Sequence, residues 1–167
     1  MNDVLMLLTY AAPVALAALG ETVVQKSGVI NIGLEGAMLG AAYTALVVTQ
    51  TTGSPYLGLL AGGALGMVAV LFFGVFSVLL GADQVVAGTA INLLGLGATG
   101  ALFRNRFGQS GQLLSIDRLP KLPGGLDAGL VLLLATVPLV WFLLARTGWG
   151  LAVRAAGEYP KAVEASG

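Results

Sequence analysis

Cysteine and histidine are both absent from the 167 residues. Without them the chain has no disulfide, no thiolate nucleophile and no imidazole to shuttle protons near neutral pH, and most zinc and haem sites lose their usual ligands. Charge is nearly as scarce: 10% of the residues are charged, where a soluble domain carries about 25%. Cations and anions balance at eight each with no basic run, so the electrostatic footprint of nucleic-acid binding is missing. A polybasic membrane-surface anchor is missing for the same reason. The N-terminus carries Asp3 where a cleaved secretory signal carries Lys or Arg, so the opening apolar segment reads as a retained span.

What is present is apolar. Hydrophobic residues make up 57% of the chain and the mean hydropathy is +0.91; lipid, rather than water, is the solvent this composition suits. There are 25 glycines, about twice the usual share, and in such a context glycine marks helices that approach one another closely. A spanning helix needs about 20 mainly apolar residues, and five stretches qualify: 4–20, 29–49, 57–80, 85–103 and 128–145. The expected fold is all-α, a single polytopic membrane domain of about five transmembrane helices. A β-barrel is set aside because runs such as Val68-Ala69-Val70-Leu71-Phe72-Phe73 do not alternate.

Pro13 and Pro138 fall inside spans, where each is expected to kink its helix. In the third span Gly58, Gly62 and Gly66 recur every four residues and form a flat stripe suited to helix packing. Two connections are long, 104–127 and the tail 146–167. Arg104, Arg106, Arg118 and Lys121 on one face balance Lys26, Arg146, Arg154 and Lys161 on the other, so positive charge alone assigns no orientation.

The segment from Ser27 to Gly36 places an amide, Asn31, and a carboxylate, Glu35, in apolar surroundings. Ionisable groups there are costly and point to a translocation path or gate. On a continuous helix Asn31 and Glu35, four apart, would share one inward face, while Gly28, Gly33 and Gly36 allow the backbone to unwind. The plainer reading has Ser27 capping a helix that starts near Val29 and a neighbouring helix satisfying Glu35. Asp83 is placed to cap the fourth span. From there Gln84, Gly88, Asn92, Gly95 and Thr99 make one small, polar face, suited either to lining a path or to interhelical hydrogen bonding by Asn92. Gly20 to Ser27 nearly matches a phosphate-binding loop, but Gln25 stands where the second glycine is required and no strand precedes it. The tail is charged and amphipathic, with Pro160 fitting the first turn of a short helix and Glu158 near its positive end.

Three stretches together resemble the permease subunits of ABC importers in the branched-chain amino acid, ribose and nucleoside group. Ser27 to Met38 is similar to the S-G-x-I-N-I-G-x-E-G-x-M segment of the nucleoside branch. Asp83 to Asn92 resembles that branch's A-D-Q-V-V-x-G-x-A-I-N stretch. The tail resembles the cytoplasmic loop G-x-x-x-R-A-x-G-x-N-P-x-A-A-x-x-x-G, with Tyr159 in place of the usual Asn and Val163 in place of Ala.

The resemblance implies the N-terminal half of an ABC permease in the plasma (inner) membrane, multi-pass and not an enzyme. Its path would include Asn31, Glu35, Gln84 and Asn92. Residues 104–127 would be external, and 146–167 would be the cytoplasmic coupling segment carrying Arg154, Gly157, Glu158 and Pro160. It implies no metal and no cofactor held by this chain, with ATP used by a partner ATPase subunit. The expected partners are that ATPase, a second permease subunit, an extracytoplasmic solute-binding lipoprotein and the lipid bilayer, and no nucleic acid. The rival reading is a self-contained secondary transporter or channel that oligomerises through its glycine-rich helices, with Asn31 and Glu35 coupling an ion.

Overall fold

The computed structural model describes residues 2–108, 119 and 126–166. Seven α-helices follow one another among the described residues: α1 (Asn2–Lys26), α2 (Leu34–Thr52), α3 (Pro55–Gly74), α4 (Gln84–Phe107), α5 (Ala128–Arg146), α6 (Gly148–Glu158) and α7 (Pro160–Ser166). They divide into two compact units, one of Met1–Ile30 with Pro120–Gly167, the other of Asn31–Leu119.

In the first unit α1 packs against α5 and α6, and α5, α6 and α7 follow in series. Asp3 near the start of α1 and Lys26 in its last turn both complement the helix dipole. The helix stops in a turn in which Ser27 N–H donates to Val24 O (3.0 Å) and Gly28 N–H to Gln25 O (3.0 Å). Gly28 there has φ +85°, a left-handed conformation that side-chain-bearing residues resist. Asp127 caps α5 by accepting from Gly129 N–H (2.8 Å). Thr147 caps α6 by accepting from Gly150 N–H (3.1 Å), and its hydroxyl donates to Leu143 O (2.5 Å). Pro13 and Pro138 both lie within helices.

In the second unit α2 packs along α3 and α4. Gly53 ends α2 in the left-handed conformation and returns its N–H to Thr49 O (2.8 Å). Ser54 and Pro55 then start α3, so the two helices form a tight antiparallel pair. Gly58, Gly62 and Gly66 of α3 face Thr49, Ala45 and Ala41 of α2. Beyond Gly74 the backbone widens into one π-helical stretch, Val75–Leu79, where the apolar run 57–80 had suggested an uninterrupted α-helix. Gly81 (φ +64°) and Asp83 then reset the chain, Asp83 Oδ1 accepting from Val85 N–H (2.9 Å) and Val86 N–H (3.0 Å) at the start of α4.

The structure is helical and polytopic. Among the described residues four helices are long and apolar enough to cross a membrane: Asp3–Lys26, Pro55–Leu79, Gln84–Phe107 and Ala128–Arg146. The expected second span, 29–49, differs. Its helix begins only at Leu34, because Gly28 turns the chain and Asn31 and Gly33 hold the next residues off the helical path. Glu35 at one end and Thr49-Gln50-Thr51-Thr52 at the other make α2 more polar than its neighbours. The fourth span also runs on past 103: Arg104 and Arg106 suit the negative end of α4, which stops at Gly108 (φ +75°). Residues 109–118 and 120–125 of the expected external loop, with Arg118 and Lys121, lie outside the described residues.

Candidate functional site

The second unit opens with a segment that is neither helix nor random connection. Asn31 is 6% exposed, and its side-chain oxygen accepts from Gly33 N–H (3.0 Å), closing an Asx turn that takes the place of a helical turn. Gly33 occupies the N-cap position of α2 but has no side chain with which to cap it. The first N–H groups of a helix have no partner within it and must find one elsewhere. Here the partner comes from 56 residues further along. Asn92 of α4 accepts from Gly36 N–H through Oδ1 (2.6 Å) and donates to Ile32 O through Nδ2 (2.8 Å). One amide thus satisfies a donor and an acceptor on the two sides of the break.

This clamp requires close backbone approach. A Cβ on Gly88 would stand 2.8 Å from Gly33 N, and one on Gly36 would stand 2.7 Å from Asn92 Cα. A Cβ on Gly95 would lie 2.5 Å from Gly36 Cα. Each obstacle is backbone, so none can swing aside. The polar face of α4 is therefore spent chiefly on holding the broken segment. Thr99 turns its hydroxyl back to Gly95 O (2.5 Å). Gln84, half-buried at the start of α4, lies outside the clamp.

The expectation that Asn31 and Glu35 share one inward helical face is not met. Asn31 precedes the helix and is buried; Glu35 lies in its first turn and is exposed on the surface of the chain. The positive end of α2 favours a carboxylate in that turn. Ser27 is not an N-cap either, since its hydroxyl donates to Val24 O (2.7 Å) at the end of α1.

Beside the clamp an open, apolar recess of about 630 Å³ runs between α2 and α4, with Leu39, Tyr43, Leu46 and Phe103 along it and Arg104 at one end. Sequence reasoning passed over Tyr43 and Phe103, because single aromatics in apolar runs carry no spacing signal. It also passed over Ser77, whose buried hydroxyl oxygen has no hydrogen-bond partner among the described residues and which sits in the π-helical stretch. Such stretches often mark functional positions.

In the first unit, Arg154, Glu158 and Pro160 of the tail are exposed. The Arg154 side chain donates to Gly150 O (3.3 Å). Gly157 instead faces the end of α1, where Gln25 and Lys26 join Arg154, Gly157 and Glu158 around a small recess. Glu158 is the last residue of α6, and Pro160 starts α7 after a single intervening residue. The near-match to a phosphate loop, Gly20 to Ser27, is helical through Lys26, and the Ser27 N–H is taken by Val24 O, so it forms no nest of N–H groups. Among the described residues no group of three or more Asp, Glu, His or Cys gathers as a metal site.

A family model described as the permease component of branched-chain amino acid transport systems matches residues 4–167. The chain is similar to the guanosine ABC transporter permease protein of Bacillus subtilis (strain 168), 35% identical over 96% of this chain and 57% of that protein. A Haloferax volcanii protein provisionally named a glucose ABC transporter permease is 33% identical over 94% of this chain and 52% of its own length. The nucleoside ABC transporter permease protein of Lactococcus lactis subsp. cremoris (strain MG1363) is 29% identical over 96% of this chain and 57% of its own. The chain spans about half the length of these curated relatives. No solved structure matches it.

Proposed function

We propose that this chain, which belongs to the family of permease components of branched-chain amino acid transport systems, supplies the N-terminal half of the membrane pathway of an ATP-driven importer. Its cargo is a nucleoside or a related small polar solute. The observation that carries this reading is the family match along residues 4–167, with guanosine and nucleoside permeases among the relatives. The family is one of transport proteins rather than enzymes, and the chain is a helical protein of the plasma membrane.

The parts then divide as follows. Asn31, Glu35, Gln84 and Asn92 belong to the path or its gate: Asn92 and Asn31 hold the broken segment in shape, while Glu35 is left available to the solute or to a neighbouring helix. Alternating access needs an element with two discrete arrangements, and we assign that role to the helix start at the break. The tail 146–167 is cytoplasmic and docks on a partner ATPase through Arg154, Glu158 and Pro160, which places 104–127 outside. There it meets a solute-binding lipoprotein. A second permease subunit completes the pathway, and the ATPase alone binds ATP.

The test is co-purification of the complete permease with its ATPase from detergent-solubilised membranes, before and after Arg154→Glu together with Glu158→Arg. The ATPase is expected to accompany the wild type and to be lost from the charge-reversed variant. A permease recovered alone, active in vesicles that contain no ATPase, would establish the rival reading of a self-contained transporter.

A further inference from the structure

The ends of α1 and α6 meet backbone to backbone. A Cβ on Gly157 would overlap the Lys26 carbonyl oxygen and stand 3.0 Å from Gly28 N. A Cβ on Gly28 would stand 3.2 Å from Gly157 Cα, and Gly28 is already committed to φ +85°. Gln25 and Lys26 on one side and Arg154 and Glu158 on the other ring this contact without entering it.

A contact made by backbone on both sides has no flexible side chain to absorb displacement. Closer approach or sliding of the two helix ends meets main-chain atoms that cannot rotate away. Gly157 lies on the same short helix as the exposed Arg154 and Glu158, while Gly28 is three residues before Asn31 in the chain.

We infer that Gly157 is a positioning residue and not part of the ATPase-binding surface: it welds α6 to the end of α1, so that the two helix ends move as one rigid body through the transport cycle. A displacement imposed on the exposed side of α6 is then passed to the end of α1 at Lys26 and Gly28. The inference rests on the reading of 146–167 as the coupling segment, and it adds the internal contact through which that segment acts.

The experiment uses the complete permease in its ATPase complex, with spin labels on Thr22→Cys of α1 and Leu151→Cys of α6. Both positions are exposed, and this chain contributes no cysteine of its own. The distance between the labels is expected to be the same in the ATP-free and vanadate-trapped states. Gly157→Leu should make that distance state-dependent and lower uptake of labelled guanosine by about tenfold, within the range of ordinary coupling effects, while the ATPase still co-purifies. A distance that changes between states in the otherwise wild-type complex would overturn the inference. So would normal uptake by Gly157→Leu, or loss of the ATPase from that variant, which would make Gly157 part of the docking surface. If Gly157→Leu does not reach the membrane, the label distance decides alone. Wild-type complex formation and uptake report separately on the functional assignment.

Discussion

Asn92 carries more of the second unit than its size suggests. Its amide partners Gly36 N–H and Ile32 O, two main-chain groups that the break in the helix would otherwise leave unpaired. An orphaned buried polar group costs about 1–3 kcal/mol, and little water is at hand to relieve it in lipid. Asn92→Ala is therefore expected to lower the thermal unfolding midpoint of the detergent-solubilised protein, by an amount matching about 1–3 kcal/mol for the part-buried Gly36 N–H and less for the exposed Ile32 O. Asn92→Asp keeps an acceptor for Gly36 but sets a carboxylate oxygen against Ile32 O and adds a charge, so it should be at least as destabilising as Asn92→Ala. An unchanged midpoint in Asn92→Ala would show that the clamp is not holding the segment. Glu35 belongs to the same segment but to a different role. Because its carboxylate is exposed on the chain and not consumed by the clamp, Glu35→Gln should leave stability and ATPase docking intact. Uptake should drop about tenfold, the scale of losing one charge-assisted hydrogen bond. Full uptake by this variant would remove Glu35 from the path.

At the scale of the helices, the α2 and α3 pair shows that a glycine stripe is not uniform. A Cβ on Gly58 would run into Thr49 Oγ1 and come within 2.7 Å of Ala45 O, and one on Gly62 would come within 2.6 Å of Ala41 O. At Gly66 the nearest atom is Ala41 Cβ at 3.6 Å, an ordinary contact. Alanine at 58 or 62 should cost about 1–3 kcal/mol through forced separation of the backbones, whereas alanine at 66 should be neutral or slightly stabilising. Thermal melts of the three single variants check the order. Equal effects at all three positions would contradict the packing described.

The helical class was open to reading from sequence because it depends on local properties, the length and apolarity of runs such as 57–80 and 128–145. The break before α2 was visible only as an oddity, an Asn and three glycines in a greasy stretch. Its consequence was hidden because the residue that stabilises it lies 56 positions on, and no local periodicity reports such a pairing. For the same reason the opposite fates of Asn31 and Glu35 escaped a helical-wheel argument, which presumes the helix has already begun. The π-helical stretch at Val75–Leu79 and the meeting of Gly28 with Gly157 were likewise beyond local signals: one arises within a featureless apolar run, the other between residues far apart in the chain.

At the scale of the molecule, the distribution of apolar side chains inverts what water would enforce. Among the described residues the buried hydrophobic side chains are Ala12, Ala37, Phe73 and Leu130, while Leu60, Leu79, Val86 and Leu94 are between 68% and 76% exposed. An apolar surface on this scale marks a face made for lipid or for further protein, and membrane helices associate through small residues rather than through a greasy core. The glycine contacts at 58, 62, 88 and 95 fit that pattern.

The most direct test is uptake into proteoliposomes containing the complete permease and its solute-binding lipoprotein, with and without the ATPase, fed labelled guanosine and challenged with unlabelled ribonucleosides or glucose. Accumulation that requires both ATP and the ATPase, and that is suppressed by ribonucleosides but not by glucose, is the predicted result. Uptake that proceeds equally well without the ATPase would contradict the account.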